Sequence, residues 1–246
     1  MTPLAESPGT IALPSAEIGR FAVFTVAIAG TQQPHGTYLN TMCSVDVTEN
    51  LNTIIRNLRP EDRWVWFIGD DHVWPGDTLV TMLETLDQHP EIDVLVPLVV
   101  KRNPPWHLVV FWDTDEVDEL GNPQYQPLRW DEIPETGVFE VHAAGSAGML
   151  VRREVLDTLG DPWFYSTFDD KGRRTNLNED VLFCTRVRQA GFRLFATADC
   201  TMGHLGIFNV RPLFRDGAWG ALTEFSSAES QFRHLYMPVV NEVPTL

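Results

Sequence analysis

Cysteine is scarce in this chain: Cys43, Cys184 and Cys200 lie far apart, with no CxxC pair and an odd count. That pattern argues against a disulfide framework and against a thiolate zinc site, and fits a reducing compartment. Long apolar runs are missing too, since no stretch approaches the roughly 18 to 20 residues that a membrane span requires. Positive charge is in deficit, with 18 Lys+Arg against 34 Asp+Glu and a net charge of −16. Electrostatic binding to nucleic acid needs basic surface and is therefore disfavoured, a local basic groove aside. The opening MTPLAESPGTIALPSAEIG has no basic region followed by a long apolar one, so it is not expected to act as a signal peptide. Residues 1–20 are expected to be a flexible Pro/Ser-rich leader, with the fold beginning near Phe21. A soluble, cytoplasmic protein is expected.

What is present is globular. The 246 residues are 43% hydrophobic and 21% charged, which suits one large α/β domain. Four short apolar runs predict buried strands: Phe21–Ala29, Trp64–Ile68, Val94–Val100 and Phe192–Ala198. Leu51, Ile54, Ile55 and Leu58 have helical spacing, as do Leu79, Met82, Leu83 and Leu86 after Pro75. A third helix starts at Asn178-Glu179-Asp180 and stops at Gly191. Alternation of this kind predicts an α/β fold. Asp113–Glu135 and Asp169–Asn176 are expected as polar insertions, and the tail from Phe208 is aromatic without a strong period.

Four segments carry candidate chemistry. In WFIGDDHVWPGD a buried strand delivers Gly69, Asp70, Asp71 and His72 to its carboxyl end, where open α/β sheets bind ligands. Two carboxylates and an imidazole suit Mg²⁺ or Mn²⁺; the bland alternative is an acidic strand-to-helix turn. Glu179 and Asp180 are expected in a first helical turn from capping alone, or the Asp, held near the metal site, is a general base. His204 in CTMGHLG matters only if the fold brings it to the Asp71 edge. Gly145, Ser146, Ala147 and Gly148 permit close approach of a ligand or of another backbone.

In the order strand, GDDH-x-x-P, KRNPPW, GSAGMLVRREV, NEDVLFCTRVRQAGF and GHLG, these segments resemble glycosyltransferases of the GT-A fold. The nearest resemblance is to the family-2-like nucleotide-sugar transferases, over about residues 21–207, with 208–246 as an extension packed on the domain. The resemblance implies a Rossmann-like mixed sheet flanked by helices in a single domain. It also implies a donor nucleoside-diphosphate sugar, a hydroxyl acceptor and a divalent ion. Asp71 matches the acid that holds the metal, and Asp70 faces the ribose or shares it. Gly69 stands where a first Asp often occurs, and His72 leaves open a variant in which Asp70 and His72 are the ligands. Asp180 matches the base of inverting members, Glu179 a residue on acceptor or donor sugar, and His204 a third metal ligand. Ala29, Gly30 and Thr31, leaving the expected first strand, sit where the family contacts the nucleotide. Lys171, Arg173 and Arg174 are placed as a lid over the diphosphate, or as solvated surface.

Two rivals remain at this stage. A nucleotidyltransferase shares much of the fold but carries a basic Gly-rich loop, whereas AGTQQPHGT contains no Lys or Arg. A catalytically silent sugar-binding protein would use the eight tryptophans for stacking. Donor sugar, nucleotide base and acceptor are not specified, and a modified base in DNA stays among the acceptors. The aromatic tail is assigned either to the acceptor side or to a homodimer contact.

Overall fold

A computed structural model describes residues 2–15, 22–44, 46–102, 107–118, 121–168, 171–172, 178–206, 209–215, 218–226 and 232–238. The sheet begins earlier than expected. Thr10–Ser15 forms β1, which pairs in parallel with Tyr38–Cys43 (β2) on one side and Trp64–Phe67 (β3) on the other. Ile11, Ala12 and Leu13 are no more than 1% exposed, so this part of the expected leader is central core. The run expected as the first strand is instead a helix, α1, Ala22–Gly30. An unbroken apolar run carries no period, and three alanines favour helix once β1 holds the strand position.

Val47–Arg56 (α2) follows β2, its N-terminal amides of Thr48 and Glu49 donating to Asp46 Oδ1. After β3 come the two-residue strand His72–Val73 (β4), the helix Thr78–Gln88 (α3) and Val94–Val99 (β5). The expected polar insertion at Asp113–Glu135 contributes to an antiparallel hairpin, Val110–Val117 (β6) with Pro123–Pro127 (β7). Val138–Glu140 (β8), Ala143–Ala144 (β9), Leu150–Arg152 (β10) and Arg153–Leu159 (α4) lead to Glu179–Gln189 (α5) and Leu194–His204 (β11).

These strands make a mixed eight-stranded sheet in the order β2-β1-β3-β10-β5-β11-β4, with β8 paired on β11. Period-two alternation explains why β3 is buried throughout. Trp64, Trp66 and Ile68 pack with the α3 side chains Leu79, Met82 and Leu83 on one face. Val65 and Phe67 pack on the other with Leu51, Ile54 and Phe183. Each such side chain contributes roughly 1.5 to 3 kcal/mol over leaving it in water.

The tail is more regular than its composition suggested. Asn209–Arg215 (β12), Ala218–Ser226 (β13) and Phe232–Pro238 (β14) form a separate three-stranded antiparallel sheet. Among the described residues no helix is long and apolar enough to cross a membrane.

Candidate active site

The parallel strands β1, β3 and β5 end along one edge of the sheet, and a cavity of about 540 Å³ opens there. Between β3 and β4 the chain turns through Gly69, Asp70 and Asp71, with the His72 amide donating to the Gly69 carbonyl at 3.3 Å. Strand β4 then pairs antiparallel with the end of β11, and His72 is the direct partner of His204. The two imidazoles stack at 4.2 Å between centroids.

That pairing gathers three of the expected ligands. Ligand atoms of Asp71, His72 and His204 all lie within 4.8 Å of one another. Each oxygen of Asp71 faces one ring: Oδ1 stands 2.7 Å from His72 Nδ1 and Oδ2 3.2 Å from His204 Nε2. The Val100 carbonyl lies 3.2 Å from His204 Nδ1. A carbonyl only accepts, so Nδ1 carries a proton, and Nε2 is the nitrogen turned to the carboxylate. His72 is 5% exposed, and neither ring nitrogen is aligned for a hydrogen bond, despite the short approach of Nδ1 to Asp71. A cation placed among these three groups would take a nitrogen lone pair from each ring and an oxygen from the carboxylate. One carboxylate and two imidazoles fit a divalent metal ion. Burial by itself raises the Asp71 carboxyl, but the His204 and His72 rings outweigh it and hold it well below the usual carboxylate range. Arg102 also reaches Asp71, with Nη1 2.8 Å from Oδ2.

Asp70 lies outside this cluster. Its Oδ2 accepts from the Ser15 hydroxyl at 2.7 Å, where β1 ends. Buried Asn50 on α2 donates to the carbonyls of Ser15 at 3.4 Å and Ser44 at 3.3 Å, tying both loops to the same wall. Across the cavity, Asn178 caps α5 by accepting from the Val181 amide at 3.0 Å, which sets Glu179 and Asp180 in the first turn facing the space. Gly145 keeps that side open: a Cβ there would lie 2.8 Å from Val109 Cγ1 and 3.9 Å from Asp180 Oδ2.

Other expected residues are placed differently. Ala29, Gly30 and Thr31 close a helix rather than leave a strand, and they do not line the cavity. Thr31 instead accepts from Trp74 Nε1 at 2.9 Å and donates to the Ala27 carbonyl at 2.8 Å. The position at the exit of the first strand belongs to Ser15. Arg173 and Arg174 lie outside the described residues, and Lys171 is exposed. Ser15, Asn50 and Arg102 are the site residues that sequence reasoning missed. Ser15 was hidden in the supposed leader, Asn50 on an amphipathic helix, and Arg102 in KRNPPW, a segment that carried no assigned role. Burial pushes the thiol of Cys184 up to about 12 and that of Cys200 up to about 11, so neither supplies a thiolate near neutral pH.

A family model described as glycosyltransferase-like family 2 matches residues 23–205. No curated protein matches the sequence significantly. Among solved structures, GalNAc-T7 with UDP, GalNAc and Mn²⁺ aligns with a TM-score of 0.56 at 10% identity, over 81% of this chain and 44% of that one. S. aureus TarS, residues 1–349, aligns with a TM-score of 0.47 at 15% identity, over 81% of this chain and 60% of that one. A197 from STIV gives a TM-score of 0.47 at 13% identity over 97% of both chains. This chain thus spans less than half of the GalNAc-T7 chain. The mixed eight-stranded sheet flanked by helices, and its likeness to GalNAc-T7, show the GT-A fold. With three quarters of its length matched by the family model, the chain belongs to the glycosyltransferase-like family 2 and is a glycosyltransferase.

Proposed function

We propose that the enzyme transfers a sugar from a nucleoside-diphosphate sugar to an acceptor hydroxyl, with Mn²⁺ or Mg²⁺ held by Asp71, His72 and His204. One observation carries this: two imidazoles converge on the two oxygens of one carboxylate, at the strand edge where α/β sheets bind ligands. Two nitrogen donors favour Mn²⁺ over Mg²⁺. A divalent ion there supplies charge that neutralises the leaving nucleoside diphosphate. The GalNAc-T7 structure, which contains UDP, GalNAc and Mn²⁺ in the same fold, supports the reading.

The chain's own residues supply the rest. Asp70, held by Ser15, faces the side of the cavity formed by β1 and α2 and is assigned to the ribose. Asp180 is assigned as general base, taking the proton from the acceptor hydroxyl as the new bond forms. Attack on the face opposite the leaving group inverts the anomeric centre and needs only that one carboxylate. Glu179 beside it binds acceptor or donor sugar, and the three strands beyond residue 208 are assigned to the acceptor side.

The test is a donor-hydrolysis screen that reports free nucleoside diphosphate from a panel of nucleotide sugars, with Mn²⁺ or with chelator. Activity is expected with Mn²⁺ only, and Asp71→Asn is expected to remove it while thermal stability stays nearly unchanged. An Asp71→Asn variant that binds donor as well as wild type in Mn²⁺ rejects the assignment.

A further inference from the structure

The cavity is strongly acidic for a site meant to receive a diphosphate. Asp70, Asp71, Glu179 and Asp180 all line it, and among the described residues Arg102 is the one Lys or Arg that does so. Arg102 lies just past β5, where the Lys101 amide bonds to the His107 carbonyl at 2.9 Å and Val100 bridges to Leu108. Its stem rests on Gly206, where a Cβ would stand 2.9 Å from Arg102 Cγ and 3.2 Å from Cδ. The guanidinium thereby arrives at Asp71 Oδ2, at 2.8 Å, on the same oxygen that faces His204. It occupies the place of a counter-cation on the carboxylate that the metal reading requires.

We propose that Arg102 is a diphosphate-binding residue that exchanges partners: it neutralises Asp71 before donor arrives and turns to the diphosphate oxygens once Asp71 is engaged. The inference rests on the metal site proposed above. Three features support the exchange. The Arg102 side chain is 44% exposed, so it can swing without leaving a void. A planar guanidinium fork serves carboxylate and phosphate oxygens equally well. A cation beside Asp71 also competes with a metal ion for that carboxylate, so the arginine sets an order in which metal alone binds weakly and metal with diphosphate binds well.

The order gives a crossed signature that a structural role would not produce. Mn²⁺ alone is titrated by electron paramagnetic resonance, and Mn²⁺-pyrophosphate by calorimetry, on wild type, Arg102→Gln, Gly206→Ala and Asp71→Asn. Arg102→Gln is expected to tighten Mn²⁺ alone several-fold and to weaken Mn²⁺-pyrophosphate about tenfold or more, the scale of a charge-assisted hydrogen bond. Gly206→Ala, which displaces the stem but keeps the charge, should weaken Mn²⁺-pyrophosphate by less. If Arg102→Gln shifts both affinities in the same direction or neither, the exchange is wrong while the metal site stands. If wild type takes up Mn²⁺ but not Mn²⁺-pyrophosphate, the exchange is likewise wrong. If wild type binds no Mn²⁺, or Asp71→Asn binds it equally, the metal site and this inference fall together.

Discussion

A Cβ on Gly69 would stand 2.6 Å from Nδ1 of His72 and 3.0 Å from Asp71 Oδ1. The glycine in GDDH is therefore a steric requirement of the His72 orientation. With His72 turned into the cluster there is no room for a side chain at 69, and the histidine occupies the space that an acid at that position would need. Gly69→Ala is expected to displace the His72 ring and lower Mn²⁺ affinity by about 10- to 100-fold, the range for disturbed surroundings of a metal ligand. Calorimetric titration checks this; an Ala variant with wild-type Mn²⁺ affinity would show that His72 plays no part in binding.

Asp180 and Asn178 separate chemistry from capping on one helix. Asp180→Asn should cost about 10² to 10⁴ in turnover with donor affinity and melting temperature nearly unchanged. Asn178→Ala removes the bond to the Val181 amide and should cost about 1 kcal/mol of stability. Were Asp180→Asn to turn over at near wild-type rate but melt lower, Asp180 would be a helix-end residue and Glu179 the next candidate base.

Asn52 is 3% exposed and makes three side-chain hydrogen bonds: it donates to the Phe164 carbonyl at 2.7 Å and accepts from the amides of Trp163 and Phe164 at 3.1 and 3.0 Å. Phe164 in turn stacks on Phe183 of α5 at 4.5 Å. Asn52→Ala orphans three backbone groups, two buried and one part-buried, for an expected loss of about 2 to 4 kcal/mol in urea unfolding. A loss under about 1 kcal/mol would show that these groups find other partners.

His142 predicts a pH dependence outside the site. Its ring stacks on Trp112 at 3.9 Å, and Nδ1 accepts from the Asp113 amide at 3.1 Å, which requires the neutral form. Burial, together with nearby Arg188, lowers its affinity for a proton. Above pH 6.5 folded and unfolded chains are both neutral there, and the stabilisation is complete. As pH falls below about 6.5 the unfolded chain takes a proton first, so stability declines. Melting temperatures of wild type and His142→Gln, compared from pH 7.5 to 5.5, should converge on acidification. A constant difference would remove His142 as the cause.

The sheet was legible where strands are buried on both faces: Trp64–Ile68 and Val94–Val100 are short, apolar and bounded by polar turns. The same rule misread Phe21–Ala29, because an apolar run without a period fits a partly covered helix equally well. It also passed over Thr10–Ser15, six residues of which one is proline, inside a segment whose composition suggested a leader. The β6–β7 hairpin was hidden for another reason: much of both its faces meets solvent, so its strands show no apolar alternation. At the site, GDDH, Glu179-Asp180 and His204 were visible as chemistry. Their meeting was not, because the pairing of His72 with His204 is set by sheet register across the whole domain. Arg102 was invisible for the same reason, since only the folded loop carries it to Asp71.

Strand β4 is joined to β11 by two residue pairs, Gly203 with Val73 and His204 with His72. One further bond, from the Leu205 amide to the Asp71 carbonyl at 2.7 Å, ties the same edge, and a ladder that short is expected to open before the Trp64–Phe67 strand exchanges its amides. A ligand shared by Asp71 and His204, 133 residues apart in sequence, would clasp that edge shut. Occupancy of the pocket and closure of the sheet's margin are then one equilibrium, and the amide protons of His72 and Val73 are its natural gauge.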